Sequence, residues 1–579
     1  MTMLTKWGAA LDRSCPLPEY PRPQLRRESF YNLNGVWDYA VTPSGDEPEV
    51  WDGEIVVPFS PEAPLSGAVR GPAKDEYLHY RRGFTLPEGF QKSRVLLHFG
   101  AVDQIAEVFV NGVSAAKYSG GYWPFSADIT SLLREEENIL RVTVRDNADD
   151  PTFAYGKQRY KRGGMWYTAQ SGIWQTVWLE SVPEVYVKSL RITPEFDEAR
   201  VRIELETALE SSAAITCDVR AADGSFVAGS WAKGGVCVVP LPGFRAWTPD
   251  DPYLYTLDIT CGEDRVESYF AMRKFSYVEL DGHKVFGLNN APLFHNGLLD
   301  QGYYPDGLLT PPSDEAMVND IETMKRCGFN MLRKHIKIEP LRWYYHCDRL
   351  GMIVWQDMVS GGQPYSFLHV SALPTLGKVD LPDQDAKPYG RSGVLSRARF
   401  RREMADTVRL LYNCPCIALW TVFNEGWGQF DALDMANELK KLDPTRFIDH
   451  ASGWQDQGYE EMKSRHIYFR PVKLKNDGRA LALTEYGGYI LAVDGHRWTD
   501  KVFGYRICRD SAALAHDYEK LMLGQVLPHI RKEGLTAAVY TQITDVEEEL
   551  NGLMTYDREV LKIPEETLWE INAALRFDA

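Results

Sequence analysis

The 579 residues are 44% hydrophobic and 25% charged, ordinary globular proportions over several common domain lengths, which excludes a small binding module and wholesale disorder. Asp and Glu number 81 against 64 Lys and Arg, and the net charge of −17 repels polyanions, which argues against nucleic acid and anionic membrane as partners. Nine scattered cysteines from Cys15 to Cys508, no apolar run of about 18 residues and no signal-peptide pattern in MTMLTKWGAALDRSCPLPEYP predict reduced thiols and a cytoplasmic location.

From about residue 30 to 182 the pattern has period two. Ala106, Val108 and Val110 alternate with Glu107 and Phe109, and Asn111-Gly112 supplies the positive-φ pair of a tight hairpin. Ile139 to Val144 and Thr176 to Leu179 repeat the theme, so residues 1–182 are expected to form a jelly-roll β-sandwich. Residues 183–275 carry further short strands (Val201 to Leu205, Ile215 to Val219, Leu254 to Ile259) at the spacing of an immunoglobulin-like sandwich, with Trp247-Thr-Pro-Asp-Asp-Pro-Tyr253 as turn chemistry. Residues 276–579 alternate apolar runs with helical stretches. Ser313 is placed to cap a helix whose Met317, Ile321 and Met324 share a face before Gly328. Strand ends near Gly297, Arg333, Trp355, Phe423, His450, Tyr468, Thr484 and Thr541 are eight in number, the count of a C-terminal (β/α)8 TIM barrel. Residues 359–395, rich in Gly, Pro and Ser, are long for a loop and are expected at the barrel's mouth.

Gly156-Lys157 and Gly377-Lys378 lack the Ser or Thr of a phosphate loop, and there is no HExxH or paired CxxC, so no cofactor and no metal are expected. Cys414 and Cys416, one residue apart, read as small buried side chains. The informative segments are Ala418-Leu-Trp-Thr-Val-Phe-Asn-Glu-Gly-Trp-Gly-Gln429 and Leu481-Ala-Leu-Thr-Glu-Tyr-Gly-Gly488. Each is an apolar strand that ends in a glutamate and breaks at glycine, and barrel enzymes place their chemistry at such strand ends. Two carboxylates about 5 to 5.5 Å apart carry out double-displacement glycoside hydrolysis. Glu425, enclosed and beside a second negative charge, is the candidate acid/base, and Glu485 the candidate nucleophile.

With Tyr31-Asn-Leu-Asn-Gly-Val-Trp37, Trp247-Thr-Pro-Asp-Asp-Pro-Tyr-Leu-Tyr255 and the Asn-Glu segment in this domain order, the chain resembles glycoside hydrolase family 2, the β-galactosidases, β-glucuronidases and β-mannosidases, over nearly its whole length. The resemblance implies retention of configuration with Glu425 as acid/base and Glu485 as nucleophile. It further implies that Asn424 bonds the sugar 2-hydroxyl, that Arg333 and His335 lie beside the nucleophile, and that Tyr468 holds it. Asp300 and Asp357, at the ends of strands one and three, either bind sugar hydroxyls or cap loops, and Trp427, Trp454 and Trp498 either stack on a sugar or pack in the core. The first domain is expected to buttress the barrel or build a homo-oligomer. No Asn here has Lys two positions on, the motif with which the family's glucuronidases grip a carboxylate, and Val354-Trp-Gln-Asp357 is nearer the mannosidase style. By elimination a β-galactosidase or related exo-acting β-glycosidase is expected. β-Glucuronidase, β-mannosidase and β-glucosidase specificities, a transglycosylase and an inactive carbohydrate-binding protein are the alternatives.

Overall fold

The computed structural model describes residues 3–209, 214–376 and 380–577; Gly377-Lys378, in the middle of the 359–395 segment, lies outside the described residues. Near the N-terminus two antiparallel sheets share one core. Tyr31–Asn32, Val177–Val182, Arg94–Phe99 and Phe125–Asp128 form one sheet, and seven strands form the other. Leu97 and Leu179 of the first meet Trp37, Tyr80 and Val142 of the second, and all five are buried. Each such aliphatic burial contributes on the order of 1.5–3 kcal/mol. The expected hairpin is present: Val110 pairs with Val113, and Asn111 and Gly112 take φ of 52° and 82°.

The second sandwich packs a sheet of three strands (Val187–Glu195, Arg200–Thr207, Val236–Pro240) on one of four (Phe226–Trp231, Ile215–Arg220, Tyr255–Cys261, Asp264–Phe270) around Cys217, Val219, Cys237 and Leu257. Its turn segment docks on the barrel. Trp247 is fully buried and its indole N–H donates to Asp348 O at 2.7 Å.

Eight parallel strands follow: His295–Asp300, Met331–Lys334, Ile353–Asp357, Ile417–Thr421, Phe447–Asp449, Met462–Ile467, Ala480–Gly487 and Leu535–Thr541. Their order, 5-4-3-2-1-8-7-6, makes a nearly closed barrel whose strands are buried almost throughout, as parallel strands covered by helices must be. Its interior is packed by Leu299, Met331, Trp355, Leu419 and Val539, and its N-terminal end is plugged by Phe286 of the hairpin strand His283–Leu288. Ser313 caps helix Asp314–Arg326 by accepting from Ala316 N, and Met317, Ile321 and Met324 are buried as the spacing predicts. Cys414 and Cys416 are buried. The 359–395 segment differs from a plain loop: Leu368–Ala372 and Leu373–Thr375 are helical, and Asp383 accepts from Gln429 Nε2 and Ala432 N, which ties the segment to the loop carrying Glu425. Among the described residues no helix is long and apolar enough to cross a membrane.

Candidate active site

Glu425 and Glu485 reach the same space by different backbone devices. The chain leaves strand four at Thr421, and Glu425 itself takes φ of 53°, followed by Gly426 and Gly428 at 73° and 69°. A non-glycine residue held in this region costs on the order of 1–3 kcal/mol and is a mark of functional sites. Its N–H donates to Ser452 O at 2.9 Å, which fixes the loop to the end of strand five. Glu485 lies within strand seven at a bulge, because Leu483 pairs with Ala538 and Tyr486 with Tyr540, one residue too many on its side. Bulges re-aim side chains in this way. Glu425, His466 and Glu485 thereby each place one ligand-type atom within 4.8 Å of the others. Among the described residues this is the one group of His, Cys, Asp and Glu compact enough to seat a metal ion. Neighbours already engage its atoms.

Arg333, fully buried on strand two, organises the surroundings. Its guanidinium donates to both oxygens of Asp357 at 3.0 Å, to Asn424 Oδ1 at 2.8 Å, to Glu485 Oε1 at 3.1 Å and to Thr484 O at 3.1 Å. This planar fork suits Arg and no other side chain. Tyr468 donates to Glu485 Oε2 at 2.5 Å, and its oxygen lies 2.9 Å from Thr541 Oγ1. His335 Nδ1 is 2.9 Å from Asp357 Oδ2.

The titration behaviour of the two sides differs. Burial pushes the Glu425 carboxyl above the ordinary glutamate range, against the opposing charges of Lys157, His335 and Arg333. Burial opposes ionisation of Asp357 too, but there Arg333 and the bond from His335 prevail and hold it down at about 2. Burial also lowers His466 to about 3, so this imidazole is neutral at working pH. Its Nε2 lies 3.5 Å from Arg333 Nη1, which can only donate, so Nδ1 carries the hydrogen and donates to Glu425 Oε1 at 2.8 Å.

The mouth is completed from the other end of the chain. Residues 154–168 of the first sandwich reach over the barrel, with Tyr155 N and Gly156 N donating to Ser360 O at 3.1 and 3.0 Å. On the far side Gly164 N donates to Glu548 Oε2 at 2.9 Å, Thr168 N to Glu547 Oε1 at 2.8 Å, and Tyr167 OH to Glu549 Oε2. This segment brings Lys157, whose ammonium makes no ion pair among the described residues yet acts electrostatically on Glu425, His335 and Glu549.

The structure therefore brings Asn424, Arg333, His335, Asp357 and Tyr468 together around the two glutamates. Asp300 is set apart: it pairs with Lys334 at 2.7 Å and caps a turn through Gly302 N at 2.9 Å. Trp427 packs edge-on against Trp166 at 5.0 Å, in the seam between sandwich and barrel. Trp454 donates to Glu425 O and Val370 O, both at 2.9 Å, and Trp498 lies under Arg162 at 4.2 Å. Sequence reasoning passed over His466 and Lys157. His466 stood two residues before Tyr468 on an expected strand, a usable signal; Lys157 sits in another domain and carried none. It also missed Tyr505, stacked on Tyr468 at 3.9 Å.

A parallel barrel with two glutamates facing each other at its mouth, preceded by two β-sandwiches, is the architecture of a multidomain glycosidase. Family models match in the same order: "Glycosyl hydrolase 2 galactose-binding domain-like" over 70–176, "Glycosyl hydrolases family 2" over 185–273, and "Glycosyl hydrolases family 2, TIM barrel domain" over 310–474. The chain belongs to glycoside hydrolase family 2. A β-galactosidase of Thermoanaerobacter pseudethanolicus is 24% identical over 63% of this chain and 47% of its own, and a β-glucuronidase of Paenibacillus borealis is 22% identical over 82% and 85%. The chain spans less than half the length of the first curated relatives it matches, such as the one from T. pseudethanolicus. In structure it is similar to an uncultured Clostridium β-glucuronidase (TM-score 0.74, 18% identity, 95% of this chain and 98% of that one) and to a β-galacturonidase of Eisenbergiella tayi (0.71, 18%, 97% and 100%).

Proposed function

We propose that the chain is a retaining, exo-acting β-glycoside hydrolase, on the observation that Glu425 and Glu485 face each other within 4.8 Å while only Glu425 lacks an arginine partner. Glu485, bonded by Arg333 and Tyr468, attacks the anomeric carbon as Glu425 passes its proton to the departing oxygen; Glu425 then takes a proton from water, which releases the sugar from the Glu485 ester. Asn424 Oδ1 is engaged by Arg333, which leaves its amide N–H for the sugar 2-hydroxyl. Residues 154–168, bonded across to Ser360, and Asp383, bonded to the loop carrying Glu425, crowd the strand ends and support removal of terminal sugars. In this reading residues 1–182, 183–275 and 276–579 act as three units, the last carrying the chemistry, and the protein works in the cytoplasm.

Glu425→Gln should spare activated aryl glycosides and lose alkyl or sugar aglycones by a further factor of about 100, because good leaving groups need little protonation. With the Glu425 carboxyl raised, kcat/KM of the native enzyme should stay high above the ordinary glutamate range and fall only as that carboxyl ionises on the alkaline side. The variant should lose that alkaline limb. Equal losses on both substrate types would reject Glu425 as the acid.

For the glycone, the β-galactosidase relatives support a galactoside. A second reading, a β-uronide, is favoured by Lys157, a cation without a carboxylate partner at the mouth of a strongly acidic chain. An aryl glycoside panel (galactoside, glucoside, mannoside, glucuronide, galacturonide, pentosides and furanosides) with Glu485→Gln as control decides between them. If a uronide is the substrate, Lys157→Met should cut its kcat/KM by about 100-fold, the scale of a lost charge-assisted contact, and leave neutral sugars within about threefold. The same loss on a neutral galactoside would assign Lys157 to hydroxyl binding.

A further inference from the structure

The two sandwiches and the flank of the barrel line a half-open cavity of about 690 Å³, within the range of small-molecule sites, which gather at domain junctions. Its walls come from all three: Trp123 and Gln175 from the first sandwich, Ser189 from the second, and Glu403, Asp406 and Asn413 from barrel helix Val394–Leu411 and the turn after it. None of Glu425, Glu485, Arg333, Asp357, Asn424 or Tyr468 lines it. It is a separate place in the molecule.

Buried polar atoms in folded proteins are nearly always hydrogen-bonded. Four residues lining this cavity break the rule together: Glu19 Oε2, Arg22 Nε, His98 Nε2 and Glu403 Oε1 have no hydrogen-bond partner. Glu403 is 5% exposed, and Arg399 stands off at 4.0 Å. Burial pushes its carboxyl up to about 8, so near neutrality it is largely a neutral acid, able to donate as well as accept. Trp123 is held by its own N–H, which donates to Thr407 Oγ1 at 3.1 Å and fixes the ring against the helix. Of the six Lys or Arg in the lining, five are already paired with carboxylates (Arg22 with Glu180, Lys117 with Glu107, Lys188 with Glu206, Arg342 with Asp314 and Arg409 with Asp406), which leaves little hold for a phosphate or other strong anion. A fixed indole beside uncharged acid, amide and hydroxyl groups is the chemistry that recognises the apolar faces and hydroxyl edges of a neutral sugar.

We propose that this three-domain cavity is a second saccharide-binding site, taking a neutral mono- or disaccharide independently of the glutamate pair.

The test is saturation-transfer NMR on the full-length Glu485→Gln protein with galactose, glucose, lactose and cellobiose at millimolar concentration. The same spectra are taken with Gln175→Trp added, to fill the cavity from a half-buried position, and separately with Glu403→Ala. At least one sugar should bind, and both additions should weaken it tenfold or more. In the otherwise native enzyme, Gln175→Trp should leave turnover of the best aryl glycoside within about twofold. If none of the four sugars binds, or if binding is the same in both cavity variants, the proposal is wrong. Should Gln175→Trp fail to fold, unchanged binding in Glu403→Ala is enough to overturn it. Silence of the aryl panel would reject the hydrolase reading and leave this result standing.

Discussion

On the proposed mechanism, Glu485→Gln should lower turnover of every substrate by about 10⁴-fold or more, because it removes the atom that would form the covalent bond. The amide keeps an oxygen for Arg333, which donates to Oε1 at 3.1 Å. Tyr468 can then accept from the amide and turn its own hydrogen to Thr541 Oγ1, 2.9 Å away. Folding should therefore survive, with Tm within a few degrees of the native value. Single-turnover kinetics with an aryl glycoside, beside a melting curve, checks both halves. A variant that is inactive and also strongly destabilised would mean that Glu485 serves the fold, and its assignment as nucleophile would lose its support.

Arg333→Met should have the largest effect on stability. Six hydrogen bonds disappear, the long one to His466 included, and the Asp357 and Glu485 carboxylates are left buried without their counter-charge. Removing one partner of a buried ion pair costs about 3–5 kcal/mol. The pH dependence follows from Asp357, whose native value of about 2 lies below the unfolded 3.8. In the native protein that difference contributes stability that is complete above the unfolded value and is lost as pH falls toward 2. Without Arg333 the same burial raises the carboxyl, and folding then disfavours its ionised form. The stability deficit of Arg333→Met should therefore be largest at pH 6 to 8 and shrink toward pH 4, measured by denaturant unfolding at each pH. A deficit that does not change with pH would show that lost packing, and not the charge network, causes it. Arg333→Lys restores the charge without the fork and should fall between the two.

The barrel was legible because its strands are buried on both faces and so read as apolar runs, and because each catalytic candidate interrupts such a run with a carboxylate followed by glycine. All eight strand ends chosen from the sequence lie in or within two residues of the eight barrel strands. The Asn111-Gly112 turn was legible because two consecutive positive φ angles leave few residue choices. What stayed hidden depends on contacts between segments far apart in the chain. That Arg333 joins Asp357, Asn424 and Glu485 follows from strands two, three, four and seven meeting at one end of a barrel, and no local pattern encodes it. The bulge at Glu485 is a mismatch with strand eight and has no signature within strand seven. Gly156-Lys157 registered only as a failed phosphate loop, since its neighbours in space are residues 360, 425 and 549. The helical turn at 368–375 escaped because Gly, Pro and Ser around it match the composition of a loop.

The segment 154–168, pinned to Ser360 on one side and to Glu547, Glu548 and Glu549 on the other, makes the mouth of the barrel a seam between two pieces far apart in the chain. The two glutamates proposed to act on the glycosidic bond and the segment that reaches over them therefore lie on separate stretches of the chain. Exchanging the N-terminal third with that of a relative would leave the reaction chemistry untouched and change which sugar is admitted to it, provided that the three glutamates on the barrel side still found their amides and hydroxyl. Diversification of preference in such a chain has a short route: it can proceed by shuffling the roof while the hearth stays where it is.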